Sequence, residues 1–217
     1  MRKIIVLLIS VMLFTSGFMY VNAISNKLVG KVIVIDIGHG GKDSGTVYKD
    51  IKEKDINLSI GLKLKKELIK YGVEVIMTRE GDYDLSSPNA FRRKKSDFDN
   101  RIKLINESNA DMYISIHINY LDNAKYYGSQ VFYTEDNLEL AGVIQSEMIE
   151  QLKSPLKERE LDNDIYMYKK LDIPGVLIEC GYLICKHEAQ CLSSRKFQKL
   201  VARAIARGTA QYFKDSF

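Results

Sequence analysis

The chain has 217 residues, 46% of them hydrophobic, with 32 basic and 28 acidic side chains and a formal net charge of +4. That size suits one domain around a single core, and so slight a basic excess leaves no general footprint for nucleic acid. Cys180, Cys185 and Cys191 are an odd number, so at least one thiol is free or bonded between chains, and their spacing with His187 fits no zinc motif.

Arg2 and Lys3 open the chain, and no charge follows until Lys27. The apolar block behind that pair, ending in Val21, Asn22 and Ala23, has the layout of a secretory signal peptide over residues 1–23. The alternative is an uncleaved membrane anchor, because the charge-free run approaches the length that spans a bilayer. Ser10, Thr15, Ser16, Gly17 and Asn22 weaken it as a spanning helix. Export with cleavage near Ala23 is the favoured reading, with residues 24–217 as one domain and membrane contact only through the N-terminal segment.

The apolar, β-branched run at residues 31–37 predicts a strand. Residues 53–71 predict a helix, with Ile56, Ile60, Leu64 and Leu68 at helical spacing and Gly72 as its stop. A strand follows at 73–78. Residues 81–96 read as a polar loop with Pro88 and the basic run Arg92, Arg93, Lys94 and Lys95. That run fits a solvated loop and a patch facing an anionic polymer or partner equally well. Next come a helix at 97–109 with Phe98, Ile102 and Ile105 on one face, strands at 111–117 and 129–134, and a helix at 137–153. A strand at 175–179 and a closing helix at 194–213, striped by Phe197, Val201, Ile205 and Tyr212, complete the chain. The alternation predicts a single α/β domain, its central sheet largely parallel and buried between helices on both faces.

In such folds ligands sit beyond the carboxyl ends of the strands. The first strand ends at His39 amid Gly38, Gly40 and Gly41, which are expected to clear space around the imidazole. "MYISIHIN" delivers His117 and "GVLIECG" delivers Glu179 to the same edge. Glu53 opens the helix after the first strand, in phase with the inward Ile56 and Ile60, which Asp50 and Asp55 are not. Two histidines and a carboxylate are a common catalytic zinc set that leaves one position open. A further carboxylate outside that set can act as general base, and Glu179 fits this role. A structural reading of each residue alone is bland; their meeting at one edge is what points to chemistry. A zinc peptidase or deacetylase would use the same residues, and a non-catalytic binding or regulatory protein would be expected to lack one of them.

The motifs "DIGHGGKDSG", "KEKDINLSIGLKLKKEL", "VEVIMTRE", "NRIKLINESNADMYISIHIN" and "PGVLIECGYL" resemble the zinc-dependent N-acetylmuramoyl-L-alanine amidases of bacterial cell walls over nearly all of the chain after residue 23. The resemblance implies zinc on His39, Glu53 and His117, a catalytic Glu179, and peptidoglycan as substrate, cleaved between muramic acid and the stem peptide. "RRKKSDFDNR" and "KYYGSQVFY" are most similar to the spore-cortex members of the family. These imply a place in the wall or cortex and a step towards muramic-δ-lactam. Ile37 stands where the family usually has proline, which is expected to loosen the turn before His39. Ile184 and Cys185 stand where serine and asparagine are usual, a change expected to alter support around Glu179. No separate wall-binding repeat is visible, so an accessory or activating protein is an open expectation.

Overall fold

A computed structural model of the chain describes residues 28–121, 127–161, 165–183 and 186–215. The expected leader at 1–23 and the Ile184–Cys185 pair lie outside these. The elements are β1 (Val32–Ile37), the short hairpin β2 (Val47–Tyr48) and β3 (Ile51–Lys52), α1 (Glu53–Ile69), β4 (Glu74–Met77), α2 (Arg93–Asn106), β5 (Met112–Asn119) and β6 (Gln130–Tyr133). They continue with α3 (Leu138–Leu152), β7 (Arg159–Glu160), β8 (Gly175–Tyr182), α4 (Lys186–Ser193) and α5 (Arg195–Asp215).

The main sheet runs in the order β4-β1-β5-β8-β6-β7. Strands β4, β1, β5 and β8 are parallel, and β6 is antiparallel to β8. The two-residue period of each strand divides its side chains between two cores. Ile33, Ile35 and Ile37 of β1, Ile114 and Ile116 of β5 and Ile178 of β8 pack with Ile60 and Leu64 of α1, Ile144 of α3 and Ile205 of α5. Val34, Tyr113 and Leu177 point the other way, towards Ile105 of α2 and Tyr168. The sheet is therefore covered by helices on both faces, as expected. Burying each of the three β1 isoleucines contributes roughly 1.5–3 kcal/mol, and truncating one to alanine would cost about 2–5 kcal/mol.

Three details differ from the sequence expectation. Helix α2 starts at Arg93, so three of the four basic residues at 92–95 open a helix rather than sit in a loop. Arg93 Nη1 meets Asp84 Oδ2 at 2.7 Å and Lys95 Nζ meets Asp99 Oδ2 at 2.6 Å, one turn on. Strands β2, β3 and β7 have two residues each, too few for any periodicity to register. Residues 186–193 form a separate helix because Ser194 caps the next one, its Oγ accepting from Phe197 N–H at 3.5 Å.

From β1 the chain crosses to β4 on one side and returns to β5 on the other. This reversal leaves a crevice between the carboxyl ends of β1 and β5, where ligands bind in open α/β sheets. His39 follows β1 and His117 lies near the end of β5.

Candidate active site

The site begins with backbone geometry. His39 has φ +60°, a left-handed conformation unusual for a residue with a side chain. Three carbonyls in a row, those of Ile37, Gly38 and His39, are held by two buried arginines. Arg79 donates to Ile37 and Gly38 at 3.2 and 3.0 Å, and Arg101 donates to Ile37 and His39 at 2.6 and 2.8 Å. The turn is therefore not loosened by Ile37. The Ile37 N–H, which proline would lack, donates to Thr78 Oγ1 at 2.9 Å, and its side chain packs into space that only a glycine at Gly61 leaves open.

Glu53 enters from the first turn of α1. Lys52 provides no side-chain cap. Instead Glu53 N–H and Lys54 N–H donate to the carbonyls of Thr46 and Ser44 in the preceding loop, at 2.9 and 3.1 Å. The Glu53 carboxylate is 3% exposed, while Asp50 and Asp55 are exposed. Its Oε1 lies 3.1 Å from His39 Nε2 and 3.2 Å from His117 Nδ1. It also accepts from Ile118 N–H at 3.0 Å and from Asn57 at 3.2 Å, while Oε2 accepts from Thr46 N–H at 2.8 Å. The Ile118 bond is available because the β5–β8 ladder shifts register between His117 and Asn119, a bulge that turns a backbone donor away from the sheet.

Burial disfavours a charged Glu53, but the adjoining imidazoles of His117 and His39 outweigh it and hold the carboxyl well below the usual range. Burial likewise opposes protonation of His39, yet hydrogen bonds to Asp43 and Glu53 raise the imidazole to about 9. Asp43 Oδ2 sits 3.1 Å from His39 Nδ1, on the side away from Glu53.

Donor atoms of His39, Glu53 and His117 all lie within 4.8 Å of one another, and no other such group of three occurs among the described residues. Two imidazoles and one carboxylate match the donor set and number that zinc takes at hydrolytic sites, with a coordination position to spare. Asp43 is the kind of outer carboxylate that fixes a ligating imidazole. The residues present therefore fit a zinc ion.

The glycines clear space, but not as expected. A Cβ at Gly38 would lie 2.3 Å from His117 Cε1, so Gly38 makes room for the other histidine. Around His39 that duty falls to Gly45, where a Cβ would approach His39 Cδ2 at 2.6 Å and Glu53 Oε2 at 2.5 Å. Gly40 and Gly41 admit the Tyr83 carbonyl and Asp84 instead.

Glu179 pairs with His117 across the β5–β8 register. The residue lines both cavities beside the cluster: an open groove of about 630 Å³ and a more enclosed pocket of about 250 Å³ walled by Phe98, Met167 and Leu177. Its Oε2 is buried with no hydrogen-bond partner among the described residues. Burial, reinforced by the nearby Glu53 charge, pushes its carboxyl up to about 8. Cys180 faces the opposite core and is fully buried, away from this edge.

Sequence reasoning missed Asp43, Asn57, Gly45, Arg79 and Arg101. Asn57 stands four residues after Glu53 on the same helical face, a signal that could have found it. Arg101 likewise stands on the buried face of α2 between Asp97 and Ile105; Asp43, Gly45 and Arg79 lie in loops and leave no period to read.

The N-acetylmuramoyl-L-alanine amidase family model matches residues 33–211. The germination-specific N-acetylmuramoyl-L-alanine amidase of Bacillus subtilis (strain 168) is 39% identical over 197 residues, covering 88% of this chain and 83% of that one. Among solved structures, the CwlD amidase from Clostridioides difficile, determined in complex with the GerS lipoprotein, matches with a TM-score of 0.81 and 39% identity, over 86% of this chain and 100% of that one. AmiC2 of Nostoc punctiforme matches with a TM-score of 0.74 and 30% identity, over 88% and 99% of the two chains. The chain belongs to the N-acetylmuramoyl-L-alanine amidase family, enzymes that hydrolyse the amide joining muramic acid to L-alanine in peptidoglycan.

Proposed function

We propose that this chain is a zinc-dependent, exported amidase of spore cortex, releasing stem peptides from muramic acid as a step towards muramic-δ-lactam. The observation that carries the reading is the convergence of His39, Glu53 and His117 beside Glu179. His39, Glu53 and His117 would hold the metal. A zinc ion bound there supplies Lewis acidity at the amide carbonyl.

The chain's own residues do the rest. Asp43 orients the His39 imidazole, and Arg79 and Arg101 hold its backbone. Glu179, whose buried Oε2 has no hydrogen-bond partner among the described residues, takes a proton from the attacking water as the water oxygen bonds to the carbonyl carbon. The same carboxyl then gives a proton to the alanine nitrogen as the carbon–nitrogen bond breaks, leaving a lactyl carboxylate and a free peptide amine.

Export rests on the N-terminal segment and on the wall location implied by the germination-specific relative. By the same likeness, an accessory lipoprotein is the proposed partner, as GerS is for the CwlD amidase. No helix among the described residues is long and apolar enough to cross a membrane.

The test is mass spectrometry of purified cortex peptidoglycan incubated with the zinc-loaded full chain. Intact stem peptides with a free alanine amine are expected. Released acetate would make the protein a deacetylase, and released single amino acids or shortened stems would make it a peptidase.

A further inference from the structure

We propose that Lys94 is a substrate-binding residue whose ammonium receives a carboxylate of the stem peptide beside the scissile amide. This deepens the amidase reading and rests on it.

Helix α2 opens with Arg93, Lys94 and Lys95 and has no acid in its first turn. Three cations at the positive end of a helix dipole are unfavourable, so each needs an account. Arg93 is matched by Asp84 at 2.7 Å and Lys95 by Asp99 at 2.6 Å. Lys94 has only a looser partner, an ion pair with Asp43. Its ammonium lies 5.9 Å from the Phe98 ring centre and 3.8 Å from Asp43 Oδ2, beyond hydrogen-bond reach. Its side chain is 62% exposed.

The place of that ammonium matters more than its exposure. Lys94 lines the open groove together with His39, Glu53, His117 and Glu179, and it is the one lysine or arginine on that lining among the described residues. None of the acids there, Asp43, Glu53 and Glu179, can hold a peptide carboxylate. A stem peptide joined through L-alanine carries a carboxylate on its next residue, one peptide unit from the bond that breaks. Lys94 supplies the opposite charge where such a peptide must pass. A lysine suits this role because it is a point charge on a flexible stem, with three donors and no required plane of approach. The pull of Asp43, too distant to consume those donors, keeps the ammonium near the groove.

The test compares the full zinc-loaded chain with Lys94→Ala and Lys94→Arg on soluble glycan-strand fragments bearing stem peptides. One batch keeps its peptide carboxylates, and the other has them converted to carboxamides. For the native batch, Lys94→Ala should lower kcat/KM by about 5- to 20-fold, chiefly through KM, with Lys94→Arg recovering part of the loss. The loss should be several-fold smaller on the carboxamide batch. Lys95→Ala, whose charge is engaged by Asp99, should show the same ratio on both batches. Equal losses for Lys94→Ala on the two batches would make Lys94 only a counter-ion for Asp43 and overturn the proposal, leaving the amidase reading intact. A parent chain that releases no stem peptide from either batch would overturn both.

Discussion

Arg101 Nη2 donates to the backbone carbonyl of His39 at 2.8 Å. The two residues belong to different layers, and the bond fixes a candidate metal ligand by its main chain. Arg101 is 2% exposed and is itself held by Asp36 at 2.7 Å and Asp97 at 3.0 Å. Left-handed backbone at a residue with a side chain costs of order 1–3 kcal/mol and persists only where its surroundings impose it. The planar guanidinium reaches two carbonyls and two carboxylates at once, which an ammonium cannot. Arg101→Lys is therefore expected to keep the charge but lower zinc affinity by ~10- to 100-fold, read by chelator competition on folded protein. Unchanged affinity would show that Arg101 serves stability alone.

Gly38→Ala probes the floor of the site from the other side. Its φ is ordinary, so backbone strain is not the issue; the clash is with the His117 ring, 2.3 Å from the added carbon. The ring must turn or β1 must move. The expected result is a folded protein that binds zinc at least tenfold more weakly. Gly142→Ala, where nothing lies within 4 Å of the added carbon, is the control for helix α3. If both variants bind zinc like the parent, the close approach of Gly38 to His117 has no part in metal binding.

Much of this arrangement is legible in the sequence, for definable reasons. The strands carrying His39, His117 and Glu179 to one edge are long apolar runs, and the inward phase of Glu53 follows from Ile56 and Ile60, one and two turns on. Burial of Glu53 and exposure of Asp55 match that phase. Residues that act across the fold are not legible. Arg79 looks like an ordinary charge in the sequence and Arg101 shows only its helical phase; packing reveals that both are buried against backbone carbonyls. The basic run reads as a loop because its helix-opening half has no apolar stripe of its own. Its pairing with Asp84 and Asp99 depends on where the preceding loop folds back.

The Asp36–Arg101 pair makes a prediction for acid pH. Burial disfavours a charged Asp36, but the Arg101 guanidinium and the Ser115 hydroxyl, 2.6 Å away, prevail and hold the carboxyl below its ordinary 3.8. A depressed carboxyl contributes stability that is present above the unfolded value and is lost as pH falls through the folded one. Asp36→Asn should lose about 3–5 kcal/mol at pH 7, because it leaves a buried guanidinium with one carboxylate fewer. Below pH 4 its stability should fall less steeply than the parent's. Urea unfolding of the metal-free proteins at pH 7 and pH 3 measures both effects. Parallel pH dependence in parent and variant would remove Asp36 from the acid-labile groups.

Glu179→Gln separates binding from chemistry. His39, Glu53 and His117 already provide three donors, and a fourth protein ligand would close the coordination position a hydrolytic site needs. The amide keeps the shape of the side chain and removes its proton acceptor. The variant should therefore bind zinc like the parent and lose turnover by ~10²-fold or more. A second readout needs no turnover. Burial and the Glu53 charge raise the Glu179 carboxyl to about 8, so the folded chain holds a proton that the unfolded chain releases near 4.5. That contribution is complete below 4.5 and is lost as pH rises through about 8. In the metal-free state, the parent should lose stability over this window relative to Glu179→Gln, seen as a converging or crossing pair of melting temperatures between pH 5 and pH 9. Loss of zinc in the variant would instead move Glu179 into the ligand set. A stable, zinc-loaded variant with near-normal turnover would remove it from the chemistry altogether.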